Sequence, residues 1–182
     1  MIQNPHDRKI RSALAAFPVP NPLTVDSLFA VMRDRYRQRY QRSLELRRGP
    51  TPLPGLQANA LWVTRPADDG DFVWLDPSLQ GSAAVHSLSH ENGHIELGHT
   101  PLEIPTTAAP AEPEPFDMLP DAFVSGCLLA RARSTEGSHD PAYKRVEDEA
   151  ERYAFLLRRR ADDQARESRH RDPLVGRLHH SL

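Results

Sequence analysis

The stretch Gly81-Ser82-Ala83-Ala84-Val85-His86-Ser87-Leu88-Ser89-His90-Glu91-Asn92-Gly93-His94-Ile95-Glu96-Leu97-Gly98 decides how the chain folds. Ala84, Val85, Leu88, Ile95 and Leu97 supply apolar positions along a helix that opens at Gly81-Ser82. Gly98 is a helix stop, and Pro101 follows three residues on. Upstream, Phe72-Val73-Trp74-Leu75 reads as a strand that Asp76-Pro77 ends.

Inside the helix lies His90-Glu91-Asn92-Gly93-His94, an H-E-x-x-H motif. Residues four apart on a helix share a face, so His90 and His94 can aim two imidazoles at one metal ion. Glu91 sits beside the first of them and can reach a water on that ion. Zinc lowers the pKa of such a water to about 7, and a carboxylate can take its proton as it attacks a carbonyl. Gly93 within a helix costs about 1 kcal/mol relative to Ala, which small-residue packing near a metal would justify.

A catalytic zinc needs a third protein ligand and keeps one position open. The best source is the helical run Val146 to Leu157, whose apolar stripe is Val146, Ala150, Tyr153, Ala154 and Leu157. Glu147 lies at the edge of that stripe and Glu149 points elsewhere. Taken alone, Glu147, Glu149 and Glu151 would read as solvated acids at a helix start, favoured by the helix dipole; beside an H-E-x-x-H helix the ligand reading is the favoured one.

Together the two segments resemble the ImmA/IrrE family of metallopeptidases. The family's first helix reads like H-E-h-x-H-h-x-L-G-H, with h apolar, against His90 to His99 here. Its second helix reads like E-x-E-A-x-x-F-A, against Glu147 to Ala154 here. The resemblance implies that His90 and His94 are zinc ligands, Glu91 is the general base and Glu147 is the third ligand. Glu149 and Glu151 are the fallback third ligands. His99 matches the last His of the first motif, where it would orient substrate or cap the helix. Ser89 and Asn92 depart from the family's apolar positions.

The resemblance also implies a function: zinc-dependent hydrolysis of a peptide bond in a protein substrate, typically a helix-turn-helix repressor. Cleavage would derepress a stress response, a mobile element or a toxin–antitoxin pair. The alternative is a metal-binding regulatory or toxin-like module that binds its partner without cutting it. Zinc suits two histidines and a carboxylate, although manganese or iron could occupy such a site.

The expected fold is α+β: a small three-stranded, mostly antiparallel sheet on a helical core that carries the H-E-x-x-H helix. A length of 182 residues suits one domain. Residues 1–23 read as a flexible arm or a short helix plus linker, 24–165 as the metallopeptidase domain, and 166–182 as a disordered tail. Thr24 is the N-cap of a helix over 25–42, with Val25, Leu28, Phe29, Met32, Tyr36 and Tyr40 on one face. The strands Leu44 to Arg47, Ala60 to Thr64 and Phe72 to Leu75 form a meander, with Asp69-Gly70 as a hairpin signal. Trp62 and Trp74 read as core. The segment 100–120, dense in Pro and Ala, reads as a loop between the metal-bearing helices, followed by a helix over 119–132.

A formal net charge of −2 gives no electrostatic case for a general nucleic-acid binder. Arg33, Arg35, Arg37, Arg39 and Arg42 with Tyr36 and Tyr40 could still touch nucleic acid. A core-packed helix with a solvated basic face is the favoured reading of that stretch. The single cysteine, Cys127, excludes an intramolecular disulfide and fits a reducing cytosol. No long apolar run or signal core is present, so the expected location is cytoplasmic, with no membrane contact.

Overall fold

Ile10, Leu14 and Phe17 are spaced four and three apart, and that stripe draws the N-terminal region into the core. The computed structural model describes residues 5–52, 58–65, 70–103 and 141–171. Helix α1 spans Pro5–Ala16, and all three of those side chains are buried. Residues 5–16 are therefore a packed short helix, the second of the two readings that the sequence allowed, and not a flexible arm. Arg160 fastens its end by donating to the carbonyl oxygens of Leu14 and Phe17.

Helix α2 spans Val25–Tyr40 and starts on a capping box. Thr24 Oγ1 accepts the Ser27 N–H at 3.1 Å, and Ser27 Oγ accepts the Thr24 N–H at 2.9 Å. Leu28, Met32 and Tyr36 form its buried face. Two of its four arginines, Arg35 and Arg39, bond to the rest of the protein. Arg35 makes a bidentate pair with Glu96, both contacts at 2.7 Å. Arg39 donates to the carbonyls of Ile95 and Glu96, and Tyr40 OH donates to Ile95. These donors reach the last carbonyls of the helix that ends at Leu97, where intrahelical donors run short.

The strands are β1 (Ser43–Arg47), β2 (Ala60–Thr64), β3 (Gly70–Leu75) and β4 (Leu102–Glu103), with helix α3 (Gly81–Leu97) before β4 and α4 (Pro141–Arg171) last. The sheet order is β1-β3-β2-β4. The expected α+β class, a small open sheet on a helical core, is what forms. Its pairing differs from the meander that the sequence suggested. Only β2–β3 is antiparallel; β1–β3 and β2–β4 are parallel, and the two-residue β4 is a fourth strand. The antiparallel pair is the one flanking the Asp69-Gly70 signal, where β3 begins at Gly70. β4 also places residues 102–103 in the sheet, within the segment expected as loop.

Asp71 holds the sheet to α2. It is fully buried and receives Arg42 through two bonds, at 2.7 and 2.8 Å. Tyr36 OH donates to it at 2.6 Å and Arg65 N–H at 3.1 Å. Burial alone would raise the Asp71 pKa, but these donors outweigh it and hold the carboxyl below its ordinary value. Trp62 and Trp74 are both buried, as expected.

Helix α4 lays Ala150, Tyr153, Ala154, Leu157 and Ala161 against the core and continues to Arg171, past the expected end near 165. The helix expected over 119–132, with Cys127, and the tail beyond 171 lie outside the described residues. Among the described residues no helix is long and apolar enough to cross a membrane.

Candidate metal centre

Two devices position α3. Its first residue, Gly81, and its cap, Gly98, both take positive φ, 52° and 66°. Gly98 N–H bonds Ile95 O and His99 N–H bonds His94 O, which closes the helix in a Schellman motif. Mid-helix, Gly93 faces α4. A Cβ there would sit 3.0 Å from Ala150 O, 3.1 Å from Ala150 Cα and 3.3 Å from Tyr153 Cβ. The missing side chain lets the two helices approach closely enough for α4 carboxylates to reach α3 histidines.

His90, His94 and Glu147 converge, each offering a ligand atom, with all three atoms within 4.8 Å of one another. His90 Nε2 and His94 Nε2 are 3.0 Å apart. Glu147 Oε2 lies 3.2 Å from His90 Nε2, and Oε1 lies 3.6 Å from His94 Nε2. Tetrahedral bonds of 2.0–2.1 Å put neighbouring ligand atoms about 3.3 Å apart. The three separations bracket that value. Two imidazole nitrogens at this distance need a proton or a cation between them, because two bare lone pairs repel. The cluster therefore fits a metal ion in donor type, spacing and burial, with His90 buried and Glu147 mostly so.

The two other glutamates of α4 flank the cluster. Glu149 Oε2 lies 3.2 Å from His99 Nε2, and His99 Nδ1 lies 3.0 Å from His94 Nδ1. On the opposite flank, Glu151 contacts His90 Nδ1 at 3.4 Å and His86 Nε2 at 3.2 Å. Neither glutamate belongs to the inner cluster, so Glu147 occupies the third position and the two fallback residues sit behind the histidines. From α1, His6 Nδ1 reaches Glu149 Oε1 at 2.6 Å and Lys9 Nζ reaches Oε2 at 3.8 Å.

Burial lowers the His99 pKa, against the opposing pull of Glu149. Glu149 is itself shifted down: burial would raise it, but hydrogen bonds from His99 and His6 and the charge of Lys9 prevail. His99 caps α3 only through its backbone N–H. Its side chain is committed to His94 and Glu149.

Glu91 points toward the sheet, where Trp62 N–H donates to its Oε2 at 2.9 Å. The polar departures from the family pattern have structural partners. Asn92 Nδ2 donates to Tyr153 OH at 3.1 Å, and Ser89 Oγ donates to Val85 O at 2.7 Å. Burial raises the Tyr153 pKa far above its usual range, so the phenol stays neutral.

His86, His6 and Lys9 were missed as neighbours of the site. One signal for His86 was available: His86, His90 and His94 recur every four residues on one helix face. Nothing local in the sequence marks His6 or Lys9. No protein-family model, curated protein or solved structure matches this chain.

Proposed function

We propose that the chain is a zinc metallo-endopeptidase of the ImmA/IrrE type, acting on a protein substrate such as a helix-turn-helix repressor. The observation that carries this reading is the convergence of His90 and His94 on α3 with Glu147 on α4, with Glu91 adjacent to the first histidine. His90, His94 and Glu147 would hold the zinc. When bound, the ion supplies Lewis acidity that activates water and polarises a scissile carbonyl. Glu91 is the proton acceptor and, later, the donor to the leaving amine. Trp62 N–H restrains one oxygen of that carboxylate, which limits its rotation and prepays part of the ordering cost. The Gly93–Ala150 contact sets the spacing between the histidines and Glu147. Asn92 and Ser89 are accounted for by helix packing, so neither removes a catalytic group.

Two measurements test this reading. Elemental analysis of untagged protein should give one zinc per chain, lost in His94→Ala and Glu147→Ala. Glu91→Gln should keep the zinc and lose cleavage of the partner repressor. Cleavage that survives Glu91→Gln removes the proposed base. Zinc binding with no cleavage by the native chain supports instead the module that binds its partner without cutting it.

A further inference from the structure

The hydrogen bonds behind His94 run in one direction. An ionised carboxylate only accepts, so the His99 Nε2 that faces Glu149 Oε2 at 3.2 Å carries a proton. His99 Nδ1 and His94 Nδ1 then face each other at 3.0 Å, a separation that holds one shared proton. A His94 that offers Nε2 to a metal keeps its proton on Nδ1, so His94 Nδ1 is the donor and His99 Nδ1 the acceptor. A neutral His94 protonated on Nδ1 has an unprotonated Nε2. This is the atom that faces His90 Nε2 at 3.0 Å and Glu147 at 3.6 Å.

Resting on the metal-centre reading above, we propose that Glu149 and His99 are positioning residues. They lock His94 in its Nδ1–H form and present its Nε2 lone pair to the metal. Metal-bound histidines commonly donate their second N–H to a carboxylate or other acceptor, which fixes the ring and strengthens the ligand. Here a second imidazole is interposed between ligand and carboxylate. The opposite flank is looser: Glu151 contacts His90 Nδ1 at 3.4 Å with its side chain half exposed. The Glu149 arm is therefore the one that should govern affinity.

The test measures zinc affinity of the full-length chain by competition with a chromophoric chelator. Loss of this kind of outer partner weakens metal binding by about 10- to 100-fold. Glu149→Gln and His99→Phe should each show that loss. His99→Gln, whose amide can accept from His94 and donate to Glu149, should recover part of it. Asp148→Asn removes the same charge one residue away on an exposed position and should stay within about twofold, because it touches neither arm. Thermal melts of the metal-free variants by circular dichroism identify any that fail to fold. Imidazole nitrogen chemical shifts then read the tautomer of the native chain directly, so the question stays open to test if a variant is lost.

Affinities of Glu149→Gln and His99→Phe within about twofold of the native value, in a chain that binds zinc, would overturn the positioning role and leave the metal centre intact. A native His94 protonated on Nε2 in the zinc-loaded protein would do the same. No zinc uptake by the native chain would overturn both this inference and the metallopeptidase reading.

Discussion

Gly93 on α3 faces the Ala150 backbone on α4 so closely that a Cβ would meet the Ala150 oxygen at 3.0 Å and its Cα at 3.1 Å. A backbone neighbour cannot swing aside as a flexible side chain can. Gly93→Ala gains about 1 kcal/mol in helix propensity but must push the helices apart, and overpacking costs about 1–3 kcal/mol. The expected net result is a destabilisation of about 1 kcal/mol, growing with Gly93→Val. Urea unfolding measures it. A stabilised Gly93→Ala would mean that the interface has slack and that Gly93 does not set the spacing of the site.

Asp71 provides a pH dependence with a defined sign. Its folded pKa is held below the ordinary value of 3.8, because hydrogen bonds from Arg42, Tyr36 and Arg65 outweigh burial. A carboxyl shifted down contributes fully above its unfolded pKa and loses that contribution as pH falls toward the folded value. Native protein should therefore lose stability below about pH 4 partly through this group. Asp71→Asn should cost about 2–4 kcal/mol at pH 7, since it leaves Arg42 facing a neutral amide. The gap between native and variant should narrow at pH 3. A gap independent of pH would show that Asp71 acts only through its shape.

Tyr153 and Asn92 form a buried polar pair whose worth depends on both members. Tyr153→Phe leaves the Asn92 amide without its partner and should cost about 1–2 kcal/mol. The double change Asn92→Leu with Tyr153→Phe removes donor and acceptor together and should recover most of that loss. A strictly additive double mutant would argue that the two residues do not interact.

Metal removal should be visible in the melting temperature. A ligand present at a hundred times its dissociation constant stabilises the folded chain by about 2.7 kcal/mol. For a domain of this size that corresponds to on the order of 10 °C. Chelator should lower the midpoint of the native protein and leave His94→Ala unchanged. Equal responses in both would place any bound metal elsewhere.

Much of this was legible in the chain because it depends on local chemistry. Gly81 and Gly98 bracket α3, and both take the backbone conformation that glycine tolerates best. Thr24 starts α2 as its residue type demands. The Asp69-Gly70 signal marks the one antiparallel pair. The parallel partner of β3 was not legible, since β1 and β3 are joined by no local turn and their pairing is decided by packing. Helix α1 was legible only as one of two readings, arm or short helix, because its large apolar residues are Ile10 and Leu14 with the flanking Phe17, in a polar segment that leads into prolines. The choice among Glu147, Glu149 and Glu151 had the same limit. They are spaced two apart on one helix, and only the contact of α4 with α3 at Gly93 assigns each its partner.

The bond from His6 to Glu149 ties the beginning of the chain to the back of its candidate metal centre. Helix α1 thus serves as a retaining wall: with Lys9 it confines the carboxylate on which His99 leans. A shortened protein beginning at Thr24 would keep His90, Glu91, His94 and Glu147, yet Glu149 would lose His6 and Lys9 and, held from the His99 side, gain access to other rotamers. A minimal fragment drawn around the two sequence motifs alone would omit a wall of the candidate site.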